Sequence, residues 1–123
     1  MIRGIGIDLV ELGRINKIIN RNERFLQRIL TPNERELYNK YKTDSHKIEF
    51  AAGRYAAKEA FAKAAGTGIG RLSFQDIEVL RHESGAPVIK GRGFEHFDVW
   101  VSISHSSSHA IAQVILEEQD NSA

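Results

Sequence analysis

Near the start of the chain, glycine and isoleucine alternate through Gly4-Ile5-Gly6-Ile7 and run into Asp8 and Leu9. Successive side chains of an extended strand point to opposite faces. Ile5, Ile7 and Leu9 therefore share one face of a predicted strand over residues 2–10, and Gly4, Gly6 and Asp8 share the other. Two glycines beside one carboxylate leave that second face bare, so another backbone or a ligand can come close.

Helical spacing follows. Leu12, Ile15, Ile18 and Ile19 repeat on one side, with Arg14, Lys17 and Arg21 on the polar side, and Phe25, Leu26, Ile29 and Leu30 restart the pattern. Thr31-Pro32-Asn33-Glu34 is a helix start, with Thr31 as N-cap, proline in the first turn and Glu34 at the capping-box position. That helix is expected to reach about Tyr41, and Lys42 to Ser45 form a polar break. A long helix is predicted from about His46 to Ala65, rich in alanine, which favours helix and permits close packing. Gly66-Thr67-Gly68-Ile69-Gly70 ends it in a loop.

The second half reads as strands: Phe74 to Arg81, a turn at residues 83–86, Pro87 to Lys90, a run through Val99, Val101 and Ile103, a turn at Ser106 to Ser108, and Ala110 to Leu116. Helices first and antiparallel strands second make an α+β fold. Its length of 123 residues suits one domain, expected over residues 1–118 with a frayed polar tail at 119–123.

Composition narrows the function. Seventeen Lys and Arg against sixteen Asp and Glu leave almost no net charge, which argues against general nucleic-acid binding. The charge is uneven, however: Arg14, Lys17, Arg21, Arg24, Arg28 and Arg35 face only Glu23 and Glu34 between residues 14 and 35, a basic surface for an acidic partner. Cysteine is absent, so no disulfide or thiolate metal site forms, which suits a reducing, cytoplasmic setting. No apolar run is long enough to span a bilayer, and the glycine-interrupted start does not read as a signal peptide.

Two acids stand out. Asp8 is placed to meet a phosphate-bound cation, or to cap the helix beginning near Glu11, and the two roles are compatible. Glu59 borders an apolar stripe, and spacing alone favours a surface pair with Lys63 at i,i+4. Magnesium, which commonly takes one or two carboxylates and keeps its waters, would give both acids a task. The 66–70 loop follows a helix and lacks the Gly-Lys-Ser/Thr ending, so it is no Walker motif. Ser104 and His105 are adjacent at a strand end and point apart, which argues against a hydrolase pair; they suit hydrogen bonds to an anion or a local turn. His46, His82, His96 and His109 show no metal-ligand spacing.

Gly4 to Asp8, Phe50 to Ala64 with its central Lys58-Glu59-Ala60, and Val101 to Ser106 together resemble the holo-acyl-carrier-protein synthase family of phosphopantetheinyl transferases. Residues 29–34, 66–70 and 74–79 match between them. The resemblance implies the 4′-phosphopantetheinyl transferase fold, a homotrimer with clefts between subunits, and transfer of phosphopantetheine from coenzyme A to a serine of apo acyl carrier protein, releasing 3′,5′-ADP in support of fatty acid biosynthesis. It implies Mg2+ held by Asp8 and Glu59, with Lys63 on a phosphate and Lys58 and Arg54 as further ligand contacts. Glu59 is then a candidate general base. His105, Pro87, Gly66 and Gly68 fall to the nucleotide half of coenzyme A, and Arg14, Arg21, Arg24 and Phe25 to the carrier protein. A coenzyme A-binding module without catalysis, or a nucleic-acid binder, explains fewer of these residues, and neither membrane nor nucleic acid is an expected partner.

Overall fold

A computed structural model describes residues 1–119; residues 120–123 of the expected tail lie outside the described residues. Strand β1 (Ile2–Glu11) is followed by helices α1 (Leu12–Arg21), α2 (Arg24–Ile29), α3 (Pro32–Lys40) and α4 (Asp44–Ala65). A 3-10 turn (Phe74–Asp76) then precedes β2 (Ile77–Arg81), β3 (Pro87–Gly91), β4 (Phe97–His105) and β5 (His109–Glu118). β2 and β3 form an antiparallel hairpin, while a three-stranded antiparallel sheet runs in the order β1-β5-β4.

The glycine-cleared face of β1 carries α4. A Cβ built on Gly6 would lie 1.9 Å from the Ala60 carbonyl oxygen, and one on Gly4 would lie 1.9 Å from that of Ala64. Only glycine lets the two backbones approach so closely. The neighbouring strand continues the smooth surface: Ala112 sits opposite Asp8 and Val114 opposite Gly6, and both are buried. Across the sheet, Ile103 of β4 pairs with Ala112 and packs beneath Gly53 of α4. α4 thus crosses the sheet obliquely, its first half over β4 and its last turns over β1.

Local signals explain the element ends. Thr31 Oγ1 accepts from the Glu34 amide at 3.3 Å while Glu34 Oε1 accepts from the Thr31 amide at 2.7 Å, the expected capping box. Thr43 caps α4 through the His46 amide, and Gly66, at φ 76°, ends it in the left-handed conformation. The strand expected from Phe74 begins only at Ile77, because the Ser73 amide and hydroxyl both donate to Asp76 Oδ2, at 3.0 and 3.2 Å, and wind those residues into a turn.

Lys58 corrects a sequence-based expectation. Its side chain is wholly buried, and Nζ donates to Glu34 Oε1 at 2.6 Å, Ile29 O at 2.7 Å and Phe74 O at 3.0 Å. All three ammonium protons are engaged, so Lys58 is a tie between α4, α3 and the 3-10 turn and is not a ligand contact.

The other face of the sheet is bare and apolar. Ile5, Ile7, Leu9 and Trp100 are each more than half exposed there, with Ile111 between Leu9 and Ser104 in the register. Among the described residues no helix is long and apolar enough to cross a membrane.

Candidate active site

Asp8 lies within β1, which continues to Glu11, so it does not cap α1; the N-cap is Glu11, whose side chain makes no capping bond. α4 delivers the partners. Lys63 Nζ donates to Asp8 Oδ1 at 3.1 Å and to Ile7 O at 2.9 Å, so its ion pair is with Asp8 and not the i,i+4 pair with Glu59 that spacing favours. Glu59, half-buried one turn earlier, has its pKa raised by burial and then by the nearby Asp8 charge. The Lys63 ammonium and the Tyr55 hydroxyl pull the other way without cancelling that rise.

Tyr55, four residues before Glu59 on α4, is a neighbour to which the sequence assigned no role in the site. Its ring stacks on Phe74 at 5.5 Å and leans on Phe25 at 6.1 Å. Burial raises its pKa first and the Glu59 charge second, with Arg14 and Arg28 opposing, which puts the basic surface within electrostatic reach of the acids. Arg14, Lys17 and Arg21 line a shallow groove along α1, and Arg24 is exposed on α2. Phe25, expected to face a carrier protein, is half-buried against Tyr55.

A second cluster occupies the other end of α4. A cavity of about 460 Å³ is walled by Tyr41, Glu49, Arg54, Arg81, Pro87 and His105 among others. Arg54 is 6% exposed, its guanidinium lies over the Phe50 ring at 4.1 Å, and its Nε and Nη2 have no hydrogen-bond partner. Its pKa falls to about 10, chiefly through burial and then through the neighbouring Arg81 charge. Arg81 is held in turn by the Tyr41 hydroxyl, to which its Nη2 donates. Two guanidiniums brought together with unsatisfied donors suit an anion with several acceptor oxygens.

The structure therefore brings Asp8, Glu59 and Lys63 together, and separately brings Arg54, Pro87 and His105 together. It does not unite Gly66 and Gly68 with the second group: their amides, with that of Thr67, close the end of α4 beyond Lys63, where Thr67 and Gly68 both donate to Ala62 O. Sequence reasoning also missed Arg81, Tyr41 and Glu49, and it considered His46, on the same cavity wall, only as a metal ligand. Nothing local in the sequence sets β2 beside the middle of α4.

Comparison with known proteins decides the family. The profile of the 4′-phosphopantetheinyl transferase superfamily matches residues 4–114. This chain belongs to that superfamily. Among curated members, the holo-[acyl-carrier-protein] synthase of Oceanobacillus iheyensis is 50% identical over 120 residues, covering 98% of this chain and all of that one. That of Enterococcus faecalis is 52% identical over 119 residues, covering 97% and 100%. Among solved transferases, the Bacillus anthracis holo-(acyl-carrier-protein) synthase in complex with CoA (3′,5′-ADP) superposes with a TM-score of 0.89 at 49% identity, covering 97% of this chain and 99% of that one. The Helicobacter pylori synthase in complex with coenzyme A gives 0.81 at 37% identity, covering 92% and 99%.

Proposed function

We propose that this transferase moves the 4′-phosphopantetheine group from coenzyme A to a serine of apo acyl carrier protein, releases 3′,5′-ADP, and depends on magnesium. The observation that carries the reading is the meeting of Asp8, Glu59 and Lys63 at the edge of the sheet: two acids side by side, with burial and then the Asp8 charge raising the Glu59 pKa, beside an ammonium. Among the described residues no group of three or more His, Cys, Asp or Glu converges on a metal position. Magnesium does not require one, since it binds through one or two carboxylates and completes its shell with waters and substrate phosphates. Asp8 and Glu59 fit that donor set, and they would hold the ion. When bound, magnesium supplies positive charge to the pyrophosphate oxygens.

The chain's own groups account for the rest. Lys63, exposed and tethered to Asp8 and the Ile7 carbonyl, is positioned to neutralise a phosphate lying over β1. Glu59, with its raised pKa, is suited to take the proton of the attacking serine hydroxyl. Arg14, Arg21 and Arg24 present a positive surface to the acidic carrier, with encounter weakening as salt rises. The cavity of Arg54, Arg81, Pro87 and His105 takes the nucleotide end of coenzyme A.

A homotrimer makes these parts one site. The acid cluster lies by β1 and the nucleotide cavity by β4, the two outer strands of the sheet. Arg54 and Lys63 are nine residues apart on α4, about 14 Å along its axis. The exposed apolar face of Ile5, Ile7, Leu9 and Trp100 offers a surface through which copies can associate, setting one subunit's acids beside another's cavity. The setting proposed for this activity is fatty acid synthesis in the cytoplasm.

Mixing the protein with apo acyl carrier protein, coenzyme A and magnesium should add the mass of phosphopantetheine to the carrier. Asp8→Ala and Glu59→Ala should each abolish the gain while the protein stays folded. No gain with the folded wild-type protein and several carriers would overturn the assignment.

A further inference from the structure

Glu49 is an anomaly in the nucleotide cavity. The wall is otherwise cationic or neutral, with Arg54 and His46 on α4, Arg81 on β2, Tyr41 after α3 and His105 at the end of β4. A carboxylate placed there repels the anion that the guanidiniums attract, unless it does something that outweighs the repulsion. Its contacts show what that is. Glu49 Oε2 lies 3.4 Å from His105 Nε2, and Glu49 Oε1 accepts from Ser45 Oγ at 3.4 Å. Ser45 and Glu49 are four residues apart on one face of α4, so the helix itself aligns them. His105 is half exposed, and Glu49 is its side-chain partner among the described residues.

An imidazole presented to an anion must have a proton on the nitrogen that faces it. The ion-pair distance between Glu49 Oε2 and Nε2 sets the His105 ring against α4 on the cavity wall.

We infer that Glu49, braced by Ser45, is a positioning residue that holds the His105 imidazole in place to donate to a phosphate oxygen in the cavity of Arg54 and Arg81. This rests on the proposed reading of that cavity as the nucleotide site. Glu49 acts through the histidine it holds and not by binding the ligand itself.

The test measures 3′,5′-ADP binding by calorimetry to the wild-type protein, Glu49→Gln, His105→Ala and the double variant. Glu49→Gln should weaken binding about tenfold, the lower end for a charge-assisted hydrogen bond at a partly exposed site. In the His105→Ala background the same change should cost less than about twofold, because the residue it positions is gone. In transfer assays Glu49→Gln should raise KM for coenzyme A and leave kcat nearly unchanged. The side-chain nitrogen NMR signals of His105 in the complex should shift in Glu49→Gln, because the ring has lost its restraint. Unchanged or tighter binding by Glu49→Gln overturns the inference, as does an undiminished loss in the absence of His105. Failure of the wild-type protein to bind 3′,5′-ADP at all would instead overturn the nucleotide-site reading beneath it.

Discussion

Lys58 Nζ lies 2.6 Å from Glu34 Oε1, with both side chains fully buried, and the pair ties the middle of α4 to the first turn of α3. Glu34 is also bonded by the Thr31 and Val79 amides, so α3 and β2 share one anchor. Burial lowers the Lys58 pKa, and the Glu34 charge restrains the fall. Lys58→Met leaves the carboxylate without its counter-charge in the core. The expected loss is about 3–5 kcal/mol in urea unfolding. A variant as stable as the wild type would remove the pair from the list of structural ties.

Gly6 provides a sharper steric test. A methyl group there meets the Ala60 carbonyl oxygen at 1.9 Å, and backbone cannot step aside as a side-chain tip can. Gly6→Ala should cost about 3 kcal/mol or more, at the upper end for overpacking. Gly13, in α1, has nothing within 4 Å of its notional Cβ, so Gly13→Ala should gain about 0.5–1 kcal/mol. Equal effects at the two positions, read by thermal unfolding, would contradict the close approach of β1 and α4.

Glu59 should trade stability for activity. Its folded-state pKa is raised, so the folded protein binds that proton more tightly than the unfolded chain does. The resulting destabilisation is absent below the ordinary carboxylate range and grows as pH climbs through the raised value. In metal-free buffer Glu59→Gln should therefore have a higher Tm than the wild type at neutral pH. The gap should close as pH falls below about 4. The same variant should lose transfer. A neutral-pH Tm at or below that of the wild type would mean that burial and Asp8 do not load this carboxylate.

Ile7 lies midway along the outer strand β1 on the apolar sheet face, between Ile5 and Leu9, opposite Gln113 in the register and more than half exposed. A charge there should disrupt association while leaving the subunit's own core, on the opposite face of the sheet, intact. Ile7→Glu is expected to sediment as a folded monomer and to lose transfer activity, with circular dichroism unchanged. An Ile7→Glu protein that still assembles would place the association surface elsewhere.

Much of the fold was legible because its signals are local. The capping box at Thr31 and Glu34, the alanine-rich helix, its glycine end and the alternation of β1 each depend on residues a few positions apart. The 3-10 turn at Phe74 was misread as strand because Ser73 and Asp76 stand in a pattern that strand alternation also satisfies. In the site, Asp8 was legible through the glycines beside it. Glu59 became legible only through a resemblance that spans nearly the whole chain, since its spacing to Lys63 also fits a plain surface pair.

Asp8, Lys58, Glu59 and Lys63 divide along the same line. The sequence by itself determined that β1 has a bare face with one carboxylate on it, and that a long, small-faced helix carries Lys58, Glu59 and Lys63. Tertiary structure alone decided that Lys58 turns inward to Glu34 while Lys63, five residues on and about 140° around the helix, reaches Asp8. It also decided that Arg54 meets Arg81 and that Glu49 meets His105. Helix periodicity fixes only the angles between side chains of one element. What each side chain meets depends on how that helix is laid across the sheet, through contacts between residues 24 to 56 positions apart in the chain.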